Sequence, residues 1–255
     1  MSAPGPPSPV DRRAERRGAR LRIAVAAISF LLTVAVAVTT VVLGQRSPRD
    51  HDAGDAGTRQ AGSTAPSNSP DVTWVEVAGV ALPVSRIHGP RITSRGRAAG
   101  YSRSELGAAF AAVHVLIRTS ATSGPEVFEP VLAEQVTGRD VAAMKLLVAE
   151  QYEQLRVQYH VPEDEPIPTG DATVLGFRVS TYDGDAGRAW VDVILSSADL
   201  GSASRVVSFD VALRWAAGDW RVVAPRDGDW SARATLLGSP PAGMVPYGAV
   251  RGRGE

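Results

Sequence analysis

Val207-Ser-Phe-Asp-Val-Ala-Leu-Arg-Trp-Ala-Ala-Gly-Asp-Trp-Arg-Val-Val223 is the stretch on which the reading of the fold turns. Val207, Phe209, Val211, Leu213 and Trp215 alternate with Ser208, Asp210, Ala212 and Arg214, the period of a half-buried strand. Ala216-Ala-Gly-Asp219 is a turn signal, and Trp220-Arg-Val-Val223 resumes the apolar pattern. So short a connection forces antiparallel pairing. Upstream, Leu175, Phe177 and Val179 alternate with Gly176, Arg178 and Ser180. Tyr182-Asp-Gly-Asp-Ala-Gly187 reads as a turn, and Trp190 to Leu195 as another strand. Each strand has one apolar face, and something must cover it.

The residues before this sheet supply the cover. Leu106, Phe110, Val113 and Ile117 follow helical spacing, with Ala109 and Leu116 widening the stripe. Ser102 and Glu105 fit a capping box ahead of them. A shorter helix is expected over Glu126 to Val136. A third is expected from Asp140 to Tyr159, with Val141, Met144, Leu147 or Val148, Tyr152 and Leu155 on one side. Pro162 stops it, and Glu163-Asp-Glu-Pro-Ile-Pro168 forms a solvated break. Val72 to Val77 alternates as a short strand, whereas Leu82 to Gly100 is punctuated by Pro83, Gly89, Pro90 and Gly96 and reads as irregular. The expected fold class is α+β: a helix-first domain over a curved antiparallel sheet, preceded by one N-terminal transmembrane helix.

That last element is expected at Ile23–Leu43, 21 residues without a charge, against the roughly 20 needed to cross a bilayer core. Arg12, Arg13, Arg16, Arg17, Arg20 and Arg22 precede it, countered by Asp11 and Glu15 alone. Basic flanks stay on the cytoplasmic side, so the chain after Leu43 is expected outside. A cleaved signal peptide has a shorter apolar run and a small-residue cleavage site, which Val41-Val-Leu-Gly-Gln-Arg46 does not offer. The chain then divides into a basic cytoplasmic tail (1–22), the transmembrane helix (23–43), a flexible Ser/Pro/Gly/Asp-rich linker (44–70), an extracytoplasmic α+β domain (71–237) and a disordered C-terminal tail (238–255). The expected location is the cell membrane, single-pass, with the N-terminus cytoplasmic.

Composition removes several function classes. The sequence contains no cysteine, which excludes thiol catalysis, cysteine–zinc sites and a disulfide scaffold. Beyond Pro70 there are 18 basic and 22 acidic residues, opposite in sign to a globular nucleic-acid binder. Lys145 is the one lysine among 27 basic residues, and with the Ala, Gly, Arg and Val richness this points to a high-GC bacterial genome.

The histidines His51, His88, His114 and His160 show no His-x-x-x-His or His-Glu-x-x-His spacing, so no metal site is expected. His114 falls beside the apolar stripe and reads as a boundary residue, His160 as a helix C-terminal cation. Asp192 and Asp210 are the strand carboxylates placed where a catalytic group could sit, though their alternation points them to solvent. Asp183/Asp185 and Asp227/Asp229 flank turn glycines without the remaining ligands of a calcium loop. Arg86, Arg91, Arg95, Arg97 and Arg103 form a run with no acid between Glu76 and Glu105, which reads as a solvated loop or a patch for an acidic partner. No catalytic, cofactor-binding or metal-binding residue is assigned, no cofactor is expected, and the chain is not expected to be an enzyme.

Three resemblances add to this. The ending Val211-Ala-Leu-Arg-Trp-Ala-Ala-Gly-Asp-Trp-Arg-Val-Val223 is similar to the last hairpin of nuclear-transport-factor-2-like (cystatin-like) domains, which implies a cone of sheet around helices. Val80-Ala-Leu-Pro-Val-Ser85, Gly89-Pro90 and Ala98-Ala-Gly-Tyr-Ser-Arg-Ser-Glu-Leu-Gly-Ala-Ala-Phe110 resemble a family of actinobacterial membrane-anchored proteins attributed to conjugative elements. The layout also resembles the bitopic assembly subunit of type IV secretion systems. These resemblances imply a scaffold of a conjugation-type apparatus whose partners are membrane lipid, other envelope or secretion-system proteins and further copies of itself; the acidic exterior gives no expectation of nucleic acid. The alternative is a ligand- or lipid-binding domain using the cone pocket.

Overall fold

A computed structural model describes residues 71–168, 172–197 and 205–250. The chain opens on two hairpins. Strand β1 (Val72–Val77) pairs antiparallel with β2 (Val80–Ser85), turning at Ala78 and Gly79, whose φ angles are 48° and 79°. Strands β3 (Ile92–Ser94) and β4 (Arg97–Ala99) form the second hairpin. Helix α1 (Glu105–Arg118) follows, then α2 (Pro125–Glu134), the two-residue strand β5 (Val136–Thr137) and α3 (Val141–Tyr159). Strands β6 (Ala172–Asp183), β7 (Arg188–Ser197), β8 (Arg205–Ala216), β9 (Asp219–Val223) and β10 (Ala234–Leu237) complete the chain.

The main sheet runs β5-β9-β8-β7-β6, with β10 also pairing with β8. Strand β7 takes one edge of β8. Strands β10 and β9 share the other, at Val206–Phe209 and Leu213–Ala216 respectively. The alternation read from sequence sets the faces: Val191, Val193, Val211 and Leu213 are buried under α1, whereas Arg188, Trp190 and Arg214 are exposed on the other side. Ala217 and Gly218 make the β8–β9 turn with φ of 53° and 81°, matching the right-handed twist of a tight hairpin.

Helix α1 lies across β6 to β9, with the β1–β2 hairpin and β4 on its opposite side. Eleven of its residues are buried, which explains its run of alanines: a helix enclosed on both sides needs small side chains to approach both layers. Gly107 is the tightest point, because a Cβ there would collide with the carbonyl of Ser102. Helix α2 packs on α1 and β4. Helix α3 packs on α2 and on the 3₁₀ turns Ala121–Ser123 and Arg226–Gly228 through Met144, Val148, Tyr152 and Leu155.

Several expectations are corrected. The class is α+β, but no helix among the described residues is long and apolar enough to cross a membrane. The expected transmembrane helix at 23–43, the tail before it and the linker 44–70 lie outside the described residues. Nor is the domain helix-first: Ala78-Gly79 reverses the chain, and Pro83 fits into β2 opposite Trp74. The sheet is mixed, since β5 pairs parallel with β9. Of the three helices expected to cover the sheet, α1 alone spans it.

The N-cap of α1 is Ser104, whose Oγ accepts from Gly107 N–H at 3.1 Å, in place of the Ser102 expected for the capping box. The tail expected to be disordered from 238 is ordered through Val250, and 251–255 lie outside the described residues. Val245 exchanges both backbone hydrogen bonds with Phe177, at 3.0 and 2.8 Å. Tyr247 is fully buried, with its hydroxyl donating to Ala109 O at 2.9 Å.

Candidate functional site

The space between α1 and the sheet, where the alternative ligand-binding reading places its pocket, is occupied by aromatic side chains. Tyr247 enters from the C-terminal segment and packs edge-on to Phe110 at 5.3 Å and tilted against Phe177 at 4.7 Å. Trp220 closes the far end, edge-on to Trp215 at 5.3 Å, and its Nε1–H donates to Ser102 O at 3.0 Å. Asp219 beside it accepts from Gly100 N–H at 2.7 Å and Tyr101 N–H at 3.1 Å, tying the last hairpin to the segment that leads into α1. The Gly-Asp-Trp turn is therefore a clamp between the sheet and the N-terminal hairpins.

Unsatisfied polarity collects on the other side of α1, under the hairpins. His114, read from sequence as a boundary residue, is fully buried. Its Nε2–H donates to Pro83 O at 2.8 Å, which leaves Nδ1 as an acceptor with no partner among the described residues. Burial pushes its pKa from 6.5 down to about 3, so the ring is neutral. Arg118, one turn on, is also buried and donates from one terminal NH group to Gly96 O at 2.9 Å, while its Nε has no partner. Tyr101 sits 6.1 Å from His114 ring to ring; its hydroxyl is unpartnered and burial holds its pKa well above 10. The region under the hairpins thus holds one neutral acceptor and two donor groups, all buried and none with a hydrogen-bond partner among the described residues. Gln135 closes it by exchanging amide hydrogen bonds with the backbone of Ala98.

The strand carboxylates are occupied. Asp192 and Asp210 stand directly opposite each other on the outer face, away from α1. Asp192 Oδ2 accepts from Arg178 Nε at 2.9 Å, from its terminal NH group at 2.7 Å and from Ser180 at 3.1 Å. Asp210 accepts from Arg233 at 2.7 Å. Arg178 and Arg233 thus neutralise two opposed carboxylates that would otherwise repel.

The other candidates are dispersed. Asp183 Oδ1 accepts from Ala186 N–H at 2.8 Å, and Asp229 caps its turn through Ser231. No group of three potential metal ligands occurs among the described residues. His88 is half-buried, 3.4 Å from Ser102 Oγ; burial, then Arg91, lowers its pKa. His160 ends α3 in the left-handed conformation with φ 57°. His51 lies outside the described residues.

The arginine run is not one patch. Arg86 faces Asp71 at 3.7 Å, and Arg91 donates to Ile87 O at 2.8 Å and Gly100 O at 3.0 Å. Arg97 pairs with Glu134, and Arg103 lies over the Trp215 ring at 5.8 Å. Arg95 sits exposed at the β3–β4 turn with φ 49°.

Two features escape a sequence reading. Arg188, Arg214 and Arg221 stand in one row across three strands, a placement that requires the register. A cleft of about 210 Å³ opens between α2, α3 and the 163–164 segment, lined by Phe128, Glu129, Tyr152, Glu153, Glu163 and Asp164. Phe128 and Tyr152 at its base are themselves buried, with rings edge-on at 5.8 Å.

No curated protein and no solved structure matches the chain. Residues 37–239, most of the chain, match one family, and the protein belongs to it: the family described as a domain of unknown function, DUF8175.

Proposed function

We propose that this protein is a non-enzymatic scaffold or assembly component of a conjugation-type or type IV-like secretion apparatus. In this reading it is attached to a cell membrane through the apolar stretch 23–43, with its domain on the outer face binding envelope partners. The observation that carries the reading is the filled interior. Phe110, Phe177, Trp220 and Tyr247 occupy the space that a ligand-binding or catalytic member of a cone-shaped fold keeps open. A lipid- or ligand-binding role would require Tyr247 and the segment behind it to leave the core.

Surface features supply the binding side of the proposal. β10 pairs with β8 alone among the described residues, and its Leu236 is 63% exposed. A short apolar edge strand is a template for added strands from a partner. The location rests on the sequence of 23–43 and the arginines before it.

In-membrane crosslinking of the native protein, followed by identification of the captured chains, tests the proposal. Subunits of a transfer apparatus are the expected products. Recovery of this chain and lipid alone, or a deletion strain with undiminished DNA transfer between cells, sinks the secretion-system assignment.

A further inference from the structure

The outer face of the sheet, turned away from α1, carries a charge arrangement that the fold itself does not neutralise. Arg188 on β7 lies directly opposite Arg214 on β8, which lies directly opposite Arg221 on β9. Opposed side chains on a sheet start about 5 Å apart at Cβ, and like charges there repel. Asp183 on β6 faces Arg188, the single acid in the row, and one of its oxygens is engaged by the Ala186 amide. Among the described residues none of the three guanidinium groups makes an ion pair or a side-chain hydrogen bond. Arg188 and Arg214 are exposed and Arg221 is half-buried. Farther along the same face, Asp192 and Asp210 repel in the same way, yet each is given an arginine. One row is balanced internally and the other is left for a partner.

The same chain carries the complement. Glu163, Asp164 and Glu165 follow α3 as three consecutive exposed acids. Arg156 reaches Glu163 at 3.4 Å while also holding Glu153, and Asp164 and Glu165 form no ion pair among the described residues. Among the described residues no ion pair or hydrogen bond joins this loop to the arginine row. A contact between two different surfaces of identical chains is heterologous, and it propagates into rings or filaments.

We propose that the Arg188–Arg214–Arg221 row docks the Glu163–Glu165 loop of a second copy of this chain, linking copies head to tail. The proposal rests on the scaffold reading and names one partner for it. The guanidinium groups supply fork-shaped donors to carboxylates, and association is steered by charge, so it weakens with salt.

Sedimentation of the full chain in detergent tests the idea. Assemblies are expected to grow with protein concentration at about 0.05 M salt and to dissociate at about 0.5 M. The variants R188Q/R214Q and E163Q/D164N/E165Q should each be monomeric, with self-affinity reduced about tenfold or more. Their equal mixture should form dimers and nothing larger, because one intact row then meets one intact loop. Formation of those dimers also shows that both variants fold. A photo-crosslinker at Ala212, beside Arg214 on the outer face, should capture the 160–168 segment of another copy.

A chain that stays monomeric at every concentration, assemblies indifferent to both variants, or Ala212 products holding only lipid or another protein overturns the head-to-tail contact. If self-assembly fails while native crosslinks to envelope subunits persist, this inference falls and the scaffold reading stands. If copies of this chain are the sole protein captured, the reverse holds.

Discussion

Tyr247 holds the C-terminal segment to the core through two separable interactions, a ring packed between Phe110 and Phe177 and a hydroxyl bonded to Ala109 O. Tyr247→Ala leaves a ring-sized cavity and is expected to cost about 3–5 kcal/mol in chemical denaturation. Tyr247→Phe loses the hydroxyl bond alone and should cost about 0.5–1.5 kcal/mol. Equal losses for the two variants would show that the ring contributes nothing. His114 makes a second, pH-dependent prediction. Its folded pKa of about 3 lies below the ordinary 6.5, so between those values the unfolded chain binds a proton that the folded chain refuses. Stability therefore falls as pH drops from 6.5 toward 3, by up to about 1.4 kcal/mol per pH unit at the steepest. His114→Gln removes this titration, and its unfolding free energy should vary less with pH across that window. An unchanged slope would place the titrating group elsewhere.

Among the elements, α1 is the most constrained, because it is enclosed by the sheet on one side and the hairpins on the other. Gly107→Ala improves intrinsic helix propensity by roughly 1 kcal/mol. It also drives a methyl group into the Ser102 carbonyl, and a net destabilisation of about 1–3 kcal/mol is expected by thermal or chemical unfolding. Gly238→Ala, where a Cβ meets nothing within 4 Å, is the control and should be near neutral. The helices and the strands β6 to β9 were legible because their apolar periods of 3.6 and 2 survive in the residue order. Strand β2 at 80–85 and the hairpin at 92–99 were not: Pro83, Gly89 and Gly96 look like interruptions when their pairing partners are unknown. Gly96 in fact sits against the backbone of Glu126 and Val127, where a side chain would not fit.

For the whole molecule, surface and interior make different predictions. In the proposed scaffold role, the features that meet partners are those of the surface: the β10 edge, the arginine row and the acidic loop. Leu236→Arg on β10 removes an exposed apolar side chain and should change stability by less than about 0.5 kcal/mol. The same variant should lose crosslinked envelope partners in native membranes. Partner recovery equal to that of the unaltered chain would move the interface away from β10. Of the surface features, the 163–165 acids and the last hairpin were visible in the sequence. The arginine row was not, because Arg188, Arg214 and Arg221 are separated by up to 33 positions and meet only through strand register.

The sequence by itself determined the three helices and the strands β1 and β6 to β9, the apolar side of those strands, the turn at Ala217-Gly218, and the absence of thiol chemistry. These are local properties, fixed by periodicity, backbone preference and side-chain type. Tertiary structure decided that His114 is interior and neutral, that Asp192 and Asp210 are neutralised by arginines, that Tyr247 fills the interior, and that three arginines align unpaired. Each of these depends on which distant segments share a surface, and pairing across the sheet brings such segments together in ways that residue order does not record.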